Sequence, residues 1–178
     1  PIARDNEASL RQVFALAEGA DLIITSGGAS VGDHDLVGKV AADLGLERAF
    51  WKISMRPGKP LMAGRMGSAA MLGLPGNPVS AAVCAHLFVL PLLAAMQGLP
   101  GTQAAQYAIL VEDVGPTGAR THFMRARLHP GPDLPLITPF AAQDSALLRV
   151  LTEADALLIR PLGDGPRRAG ERVSYLPI

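Results

Sequence analysis

The feature that most constrains the fold is a glycine-rich turn between a short apolar segment and an amphipathic helix. Residues 21–25 are mostly apolar, which is typical of a strand buried on both faces of a parallel sheet. The turn at residues 26–32 reads Ser-Gly-Gly-Ala-Ser-Val-Gly, and apolar residues then recur at helical spacing until Gly45. A further helix is predicted before the strand, between residues 5 and 19. This order predicts an α/β domain with crossover connections.

A second strand-to-helix turn follows at residues 74–80, which read Leu-Pro-Gly-Asn-Pro-Val-Ser. Asn77 suits the N-cap of a helix, and Pro78 suits its first position, where no backbone N–H is needed. Ligands bind at the carboxyl ends of parallel strands in open α/β sheets, so the two turns are expected to converge there. From spacing alone, the first turn is equally well explained as a plain tight turn.

Residues 79–96 contain no formal charge, and this is the length at which a membrane span must be considered. The segment contains His86 and Pro91, lacks an aromatic belt and has no cationic flank. We therefore predict a helix buried in the protein core, and no membrane contact.

The chain beyond this helix consists of short extended segments separated by Pro and Gly. Gly-Leu-Pro-Gly at residues 98–101 is the predicted boundary between a domain at residues 1–98 and a second at residues 102–178. Strands are predicted in the second domain at residues 107–111, 122–128, 134–138, 156–161 and 172–176. Short strands at this density are typical of a small β-barrel or sandwich.

Charge and composition exclude several classes of protein. Sixteen Lys and Arg balance sixteen Asp and Glu, so a broad cationic surface for nucleic acid is not expected. The apolar fraction of 49% against 18% charged residues excludes a disordered chain. Cys84 is the single cysteine, which rules out an internal disulfide and a cysteine-based zinc site. We expect a cytoplasmic protein that binds no nucleic acid.

Three cations lie within eight residues, at Lys52, Arg56 and Lys59. Their spacing around a Pro-Gly turn would direct at least two of them to one side, where they would attract an anionic ligand. A solvated hairpin edge explains the same spacing equally well. Asp33 and Asp35 begin the helix after the glycine turn. They are expected either to interact with the helix dipole or to hold Mg²⁺.

Three ordered motifs give the chain a specific resemblance to a known family. They are Thr-Ser-Gly-Gly-Ala-Ser-Val-Gly-Asp-His-Asp at residues 25–35, Arg-Pro-Gly-Lys-Pro at 56–60 and the motif at 74–80. In this order they resemble the molybdopterin molybdenumtransferase family, of the MoeA and gephyrin E-domain type. Arg-Thr-His-Phe-Met-Arg at 120–125, Gln-Asp-Ser at 143–145 and Gly-Glu-Arg-Val at 170–173 are similar to the small β-domain that ends these proteins.

The resemblance covers the whole chain and implies an α/β fold. A MogA-like molybdopterin-binding domain, incomplete at its N-terminus, would precede a small C-terminal β-barrel-like domain. The implied reaction inserts molybdate into adenylylated molybdopterin, with Mg²⁺ assisting, and yields molybdenum cofactor and AMP. Family members are longer homodimers whose active site also includes an N-terminal domain of the partner subunit. Residues 1–178 alone are therefore expected to be inactive.

The resemblance also implies roles for individual residues. The catalytic residues would be Asp35, Lys52, Arg56 and Lys59, and Asp35 would also hold the metal. The substrate-binding residues would be Gly27, Gly28, Ser30, Gly32, Pro75, Gly76, Asn77, Ser80, Arg125 and Ser145. The family often has Gly where Asp144 stands, and a carboxylate beside an oxyanion site is unfavourable.

Other functions are compatible with the same motifs. A non-catalytic scaffold of the same fold would need an exposed apolar groove or peptide site, whereas the enzyme needs its cations to converge. Molybdopterin adenylyltransferase has a related domain with a Gly-Gly turn, but the second β-domain argues against it. Tungstate in place of molybdate is also compatible with the sequence.

Overall fold

Helices and strands alternate in the first half of the chain, and strands dominate the second half. The computed structural model describes residues 1–27, 36–101, 103–144 and 147–178. The helices are α1 (Glu7–Ala15), α2 (Leu36–Asp43), α3 (Pro78–Cys84), α4 (Leu90–Met96) and α5 (Leu148–Thr152), with a π-helical turn, Ala85–Val89, between α3 and α4. The strands are β1 (Leu22–Ser26), β2 (Leu46–Trp51), β3 (Met55–Arg56), β4 (Met62–Met66), β5 (Ala69–Leu74), β6 (Gln106–Leu110), β7 (Thr121–His129), β8 (Leu136–Pro139), β9 (Ala156–Arg160) and β10 (Arg172–Pro177).

The chain divides into two compact units. One consists of residues 1–53 and 58–84, and the other of residues 54–57 and 85–178. The division thus falls within the long helical segment, between α3 and the π-helical turn, and the domain limits 1–98 and 102–178 stay a prediction.

The sheet of the first unit has the strand order β1-β5-β4-β2. β1 and β5 are parallel, with Ser26 opposite Leu74, whereas β5, β4 and β2 are antiparallel neighbours. The prediction of a strand buried on both faces is wrong for β1, because Ile24 is 45% exposed. The physical reason is that β1 has a neighbouring strand on one side only within the described part of the sheet.

Two helices cover this sheet with the apolar faces that the sequence predicts. Leu10 and Phe14 of α1 pack with Val37 and Val40 of α2 in one buried cluster, together with Met62 and Met71 of the sheet. The start of α1 is fixed by its N-cap, since the Asn6 side chain accepts a 2.9 Å hydrogen bond from the Ser9 backbone N–H.

The second unit is a closed five-stranded barrel, which confirms all five strands predicted there. The order is β7-β8-β6-β10-β9, and β9 pairs back with β7. The core consists of small and branched side chains from every strand, including Ala108, Ala126, Ile137, Leu158 and Val173. β3 adds to β7 as a short parallel strand.

The long apolar helical segment is only partly buried, which corrects the prediction of a core helix. Pro78–Met96 has a mean hydropathy of 2.1 and is long and apolar enough to cross a membrane, but only 28% of it is buried. Val79, Val83 and Cys84 of α3 are buried, whereas α4 has no buried residue and Leu90 is 55% exposed. Length and composition of this kind also occur in helices of water-soluble proteins.

A buried ion pair lies at the end of β9. Arg160 is 1% exposed, and its Nε donates a 2.6 Å hydrogen bond to Asp164 Oδ2. Its second donor reaches the Gly165 carbonyl oxygen at 2.5 Å. Hydrogen bonds from Arg167 and then from Arg160 lower the pKa of Asp164. The carboxylate therefore stays ionised at neutral pH, and the loop after β9 is fastened to the barrel.

Asp164→Asn is expected to lower the free energy of unfolding by about 3–5 kcal/mol, because it leaves the buried Arg160 guanidinium without a counter-charge. A carboxylate with a lowered pKa contributes stability above its unfolded pKa and loses it as pH falls through the folded value. The difference in the free energy of unfolding between the wild type and Asp164→Asn should therefore disappear only in acid. The measurement is urea unfolding at pH 7 and below pH 4, with Asp43→Asn, which removes an exposed ion pair to Arg11, as the control. Equal losses in both variants would contradict this role of Asp164.

Gly64→Ala is expected to destabilise the first unit by about 1–3 kcal/mol through overpacking. A Cβ at Gly64 would lie 2.6 Å from the Glu47 carbonyl oxygen and 3.0 Å from Arg48 Cα, both in the backbone of β2. Gly115→Ala is the matched control, since nothing lies within 4 Å of its added Cβ. The thermal midpoints of the two variants provide the test, and equal midpoints would show that β2 moves aside without cost.

Candidate functional site

The two turns predicted to converge are in contact at one edge of the first sheet. Both follow parallel neighbours, since Gly27 comes directly after β1 and Gly76 comes two residues after β5. The Gly27 N–H donates a 3.2 Å hydrogen bond to the Leu74 carbonyl oxygen. A Cβ at Gly76 would lie 3.2 Å from Gly27 Cα. Glycine at position 76 therefore allows the two backbones to approach more closely than a side chain would permit.

The second turn leads into α3 as the sequence predicts. Asn77 Oδ1 accepts a 3.2 Å hydrogen bond from the Ser80 N–H, and Pro78 is the first residue of the helix. Pro75 is buried and Ser80 is 7% exposed, so both belong to the packed base of the turn. Gly76 is exposed and presents its backbone to the surface.

A buried hydroxyl group lies close to this edge. Thr25 Oγ1 is inaccessible and has no hydrogen-bond partner among the described residues. It lies near β5, because a Cβ at Gly73 would be 3.3 Å from this oxygen. A buried polar group without a partner costs about 1–3 kcal/mol and needs an explanation such as a water or ligand.

Several expected site residues lie outside the described residues. Gly28, Ser30, Gly32 and Asp35 belong to the segment 28–35, and Ser145 belongs to the segment 145–146. Within residues 1–27, 36–101, 103–144 and 147–178, no group of three His, Cys, Asp or Glu side chains could hold a metal ion. The assignment of Mg²⁺ to Asp35 thus stays a prediction.

The two lysines of the cationic motif belong to the first unit and differ in their surroundings. Lys52 has a φ of 77°, which is rare outside glycine, and its Nζ lies 4.3 Å from the centroid of the Trp51 ring. Part of its positive charge is therefore engaged in a cation–π contact. Lys59 is exposed, and its carbonyl oxygen accepts hydrogen bonds from Ile53 and Leu61, both 3.1 Å long. The turn backbone is thereby fixed while the Lys59 side chain points to solvent.

The two arginines predicted to bind the anion lie in the second unit and influence each other electrostatically. Arg125 is fully buried, with Nε and Nη2 both 3.2 Å from Gln143 Oε1 and Nη1 3.1 Å from the Asp144 carbonyl oxygen. Burial and then the charge of Arg56 lower the pKa of Arg125. Arg56 is exposed at the end of β3.

His122 lies between cations in the strand pairing. It is opposite Arg56 in the β3–β7 pair and opposite Arg160 in the β7–β9 pair. Burial lowers the pKa of His122 to about 4, and the charges of Arg56, Arg125, Arg160 and Arg120 lower it in the same direction. The imidazole is therefore neutral at pH 7 within a strongly positive field. We call this group of four arginines and His122 the barrel cation cluster.

The sequence did not identify His122, Arg120 or Arg160 as members of such a cluster. Arg120 and His122 lie in the motif at residues 120–125 and Arg160 lies in a predicted strand, but the sequence does not show that β7 pairs with β3 and β9. Burial raises the pKa of the Cys84 thiol to about 12, so this thiol stays protonated at neutral pH.

Comparison with known proteins agrees with both units. Residues 1–95 match the family described as a probable molybdopterin binding domain, and residues 107–178 match the MoeA C-terminal region (domain IV). The molybdopterin molybdenumtransferase of Bacillus subtilis is 31% identical over 179 residues, covering 99% of this chain and 41% of that protein. The Haemophilus influenzae protein of the same name is 48% identical over 95 residues, covering 53% of this chain and 23% of that protein.

A solved structure supports the same conclusion. The molybdopterin biosynthesis MoeA protein from Pyrococcus horikosii superposes with a TM-score of 0.79 at 28% identity, covering 98% of this chain and 42% of that one. The mixed α/β unit followed by a closed barrel is thus confirmed as the expected fold. The chain spans about two fifths of the length of this structure and of the Bacillus subtilis relative. The chain therefore belongs to the family of the probable molybdopterin binding domain and carries it in the MoeA arrangement, followed by the MoeA C-terminal region.

Proposed function

We propose that the protein carrying this chain inserts molybdate into adenylylated molybdopterin and releases AMP. The observation that carries the proposal is the barrel cation cluster, in which Arg56 and Arg120 have no ion-pair partner among the described residues. Uncompensated positive charge of this kind attracts a doubly charged oxyanion such as molybdate. The printed names of the relatives support the same reaction class.

The edge where Gly27 meets Gly76 is proposed to bind the phosphate groups of the pterin substrate. Backbone N–H groups at a turn leading into a helix favour anions, and glycine lets a phosphate approach them closely. The exposed Gly76 and the unpartnered Thr25 hydroxyl support this assignment. Gly28, Ser30 and Gly32 are proposed to continue the same site, and Lys52, Lys59, Ser80, Arg125 and Ser145 to surround the oxyanion and phosphate groups.

Mg²⁺ is proposed to bind at Asp35, on the adenylate side of the substrate. The donor chemistry fits, because carboxylate oxygens are ligands that Mg²⁺ prefers. When bound there, the ion would neutralise phosphate charge. A cytoplasmic location, a homodimeric state and the absence of nucleic-acid or membrane partners belong to the same proposal. The chain spans about two fifths of its relatives, so the remaining domains are proposed to complete the site.

A scaffold is the second candidate, because the apolar groove that it would require is present. A cavity of about 690 Å³ lies beside β1, which has one neighbouring strand among the described residues. Its lining includes Leu16, Ile23 and Ile24. A peptide strand could pair with such an edge. The match of residues 107–178 to the MoeA C-terminal region argues against the third candidate, the adenylyltransferase.

Lys59→Ala in the full-length protein is expected to reduce molybdate-dependent AMP release about 10- to 100-fold, with little change in the thermal midpoint. Removing an exposed cation costs within about 0.5 kcal/mol of folding energy, whereas a hydrogen bond to a charged group contributes about 1.5–3 kcal/mol. Lys39→Ala is the control of equal charge, since Lys39 pairs with Glu7 on the surface.

One outcome would contradict the role of Lys59, and another would contradict the proposed reaction itself. Normal AMP release by Lys59→Ala would remove Lys59 from the site. No molybdate-dependent AMP release by the full-length wild-type protein would refute the proposed reaction and favour the scaffold.

Gly76→Ala is expected to weaken binding of adenylylated molybdopterin by roughly an order of magnitude, because the added Cβ would crowd the Gly27 backbone and shift the turns that are proposed to bind the phosphate groups. Gly118→Ala is the control, as nothing lies within 4 Å of its added Cβ. Affinity is measured by equilibrium binding of the adenylylated pterin. Unchanged affinity in the Gly76 variant would show that the two turns need not be in contact for ligand binding.

A further inference from the structure

The ring nitrogen Nε2 of His122 is buried and has no hydrogen-bond partner among the described residues. A buried polar atom in this state costs folding energy that an apolar ring of similar shape would avoid. Such an atom is usually explained by an unseen water, an ion or a functional role. The surroundings of His122 favour an anion.

The position of His122 is fixed by strands on both sides. Met124 and Ala126 pack in the barrel core, and alternate residues of a strand share a face. His122 therefore lies on the same face of β7 as these core residues, near the start of the strand. Arg56 is its neighbour on one side and Arg160 on the other.

The cations around His122 are unequally compensated. Arg160 is paired with Asp164, and Arg125 is held by Gln143 and the Asp144 carbonyl oxygen. Arg56 and Arg120 are exposed, and neither has an ion pair with any residue that the structure describes. The unbalanced charge thus lies on the exposed side of the cluster, next to the unpartnered nitrogen.

We propose that His122 is an oxyanion-binding residue whose neutral imidazole donates a hydrogen bond from Nε2 to a tetrahedral oxyanion attracted by Arg56 and Arg120. The inference rests on the proposed function and extends it to His122, a residue of the 120–125 motif that has no role assigned there. A neutral donor suits this position, because it contributes a directional hydrogen bond without adding repulsion between the arginines. Binding requires the exposed Arg56 or Arg120 side chain to move and admit the anion to Nε2.

Two variants separate a binding role from a packing role. His122→Phe keeps a planar ring and removes the donor, whereas His122→Gln keeps an N–H donor. Both are made in the full-length protein, and the affinity for sodium molybdate is measured by calorimetry. His122→Phe is expected to bind molybdate about 10- to 100-fold more weakly, the range for a hydrogen bond to a charged group. His122→Gln should lose less.

A binding role and a packing role of His122 predict opposite changes in the thermal midpoint of the His122→Phe variant. His122→Phe should leave the thermal midpoint unchanged or raise it, because it removes a buried polar atom without a partner. A lower midpoint together with unchanged molybdate affinity would show that His122 only packs, and would overturn the inference.

Nitrogen NMR of the wild-type protein tests the contact without a substitution. On titration with sodium molybdate or sodium phosphate, the Nε2 signal of His122 should shift. The pKa of the His122 imidazole should also rise. The reason is that a bound anion offsets the field of Arg56, Arg160, Arg120 and Arg125, which the Asp164 carboxylate beside Arg160 and the charge of Asp144 near Arg125 offset only in part. Response to molybdate alone identifies the molybdate subsite, and response to phosphate alone identifies a phosphate subsite. No response to either anion would refute the proposal.

The same measurements distinguish failure of this inference from failure of the proposed function. Molybdate-dependent AMP release by the wild type, with no effect of His122→Phe on affinity, would refute only the role of His122. An NMR response in a protein that releases no AMP would establish the anion site and refute the proposed reaction.

Discussion

The second unit depends on the pairing of β7 along both of its edges. Residues 122–126 pair with β9 on one edge, and the other edge pairs with β3 at its start and with β8 at its end. The pairing with β9 closes the barrel and removes a free sheet edge, which would otherwise invite aggregation. This pairing also places Arg160 beside His122, and the β3–β7 pairing places Arg56 on the other side. Closure of the barrel and concentration of positive charge therefore both depend on the partners of β7.

The elements of the fold were largely predictable because their signals are local. The Asn77 cap, the turn after β5 and the five short strands of the barrel are all fixed by residues close in sequence. Burial was less predictable. The sequence of an apolar segment does not show which other elements pack against it. For this reason the exposure of β1 and α4, which is greater than their composition indicates, was not predicted. Ile24 is exposed because its strand has one neighbour in the described sheet, a property of topology and not of the strand itself.

The features of the candidate site also differ in whether local sequence could predict them. The contact of Gly27 with Gly76 follows from two turns at the ends of adjacent parallel strands, and the order of strand, turn and helix in each motif was enough to predict that the turns converge. The barrel cation cluster depends on pairings between residues 55–56, 121–129 and 156–160, which are far apart in sequence. Lys52 shows a contact that spacing does not reveal, because a charge counted among the predicted anion-binding cations also contacts the neighbouring Trp51 ring. Charge spacing along the chain therefore identifies candidates, while strand register decides which of them meet.

The arginines at the barrel differ in how far their charge is compensated. Arg160 pairs with Asp164, a carboxylate that it shares with Arg167, and a buried guanidinium needs such a counter-charge if it is to contribute to stability. Arg125 is satisfied mainly by neutral oxygens from Gln143 and the Asp144 backbone, so its hydrogen bonds are met while its charge is only partly offset. Burial is the main cause of the lowered pKa of Arg125, the charge of Arg56 lowers it further, and the charge of Asp144 raises it. A protein selected only for stability would place a carboxylate beside Arg56 or an apolar ring at position 122. The retention of positive charge and of an unpartnered imidazole nitrogen is the arrangement expected where an anion supplies the missing partner.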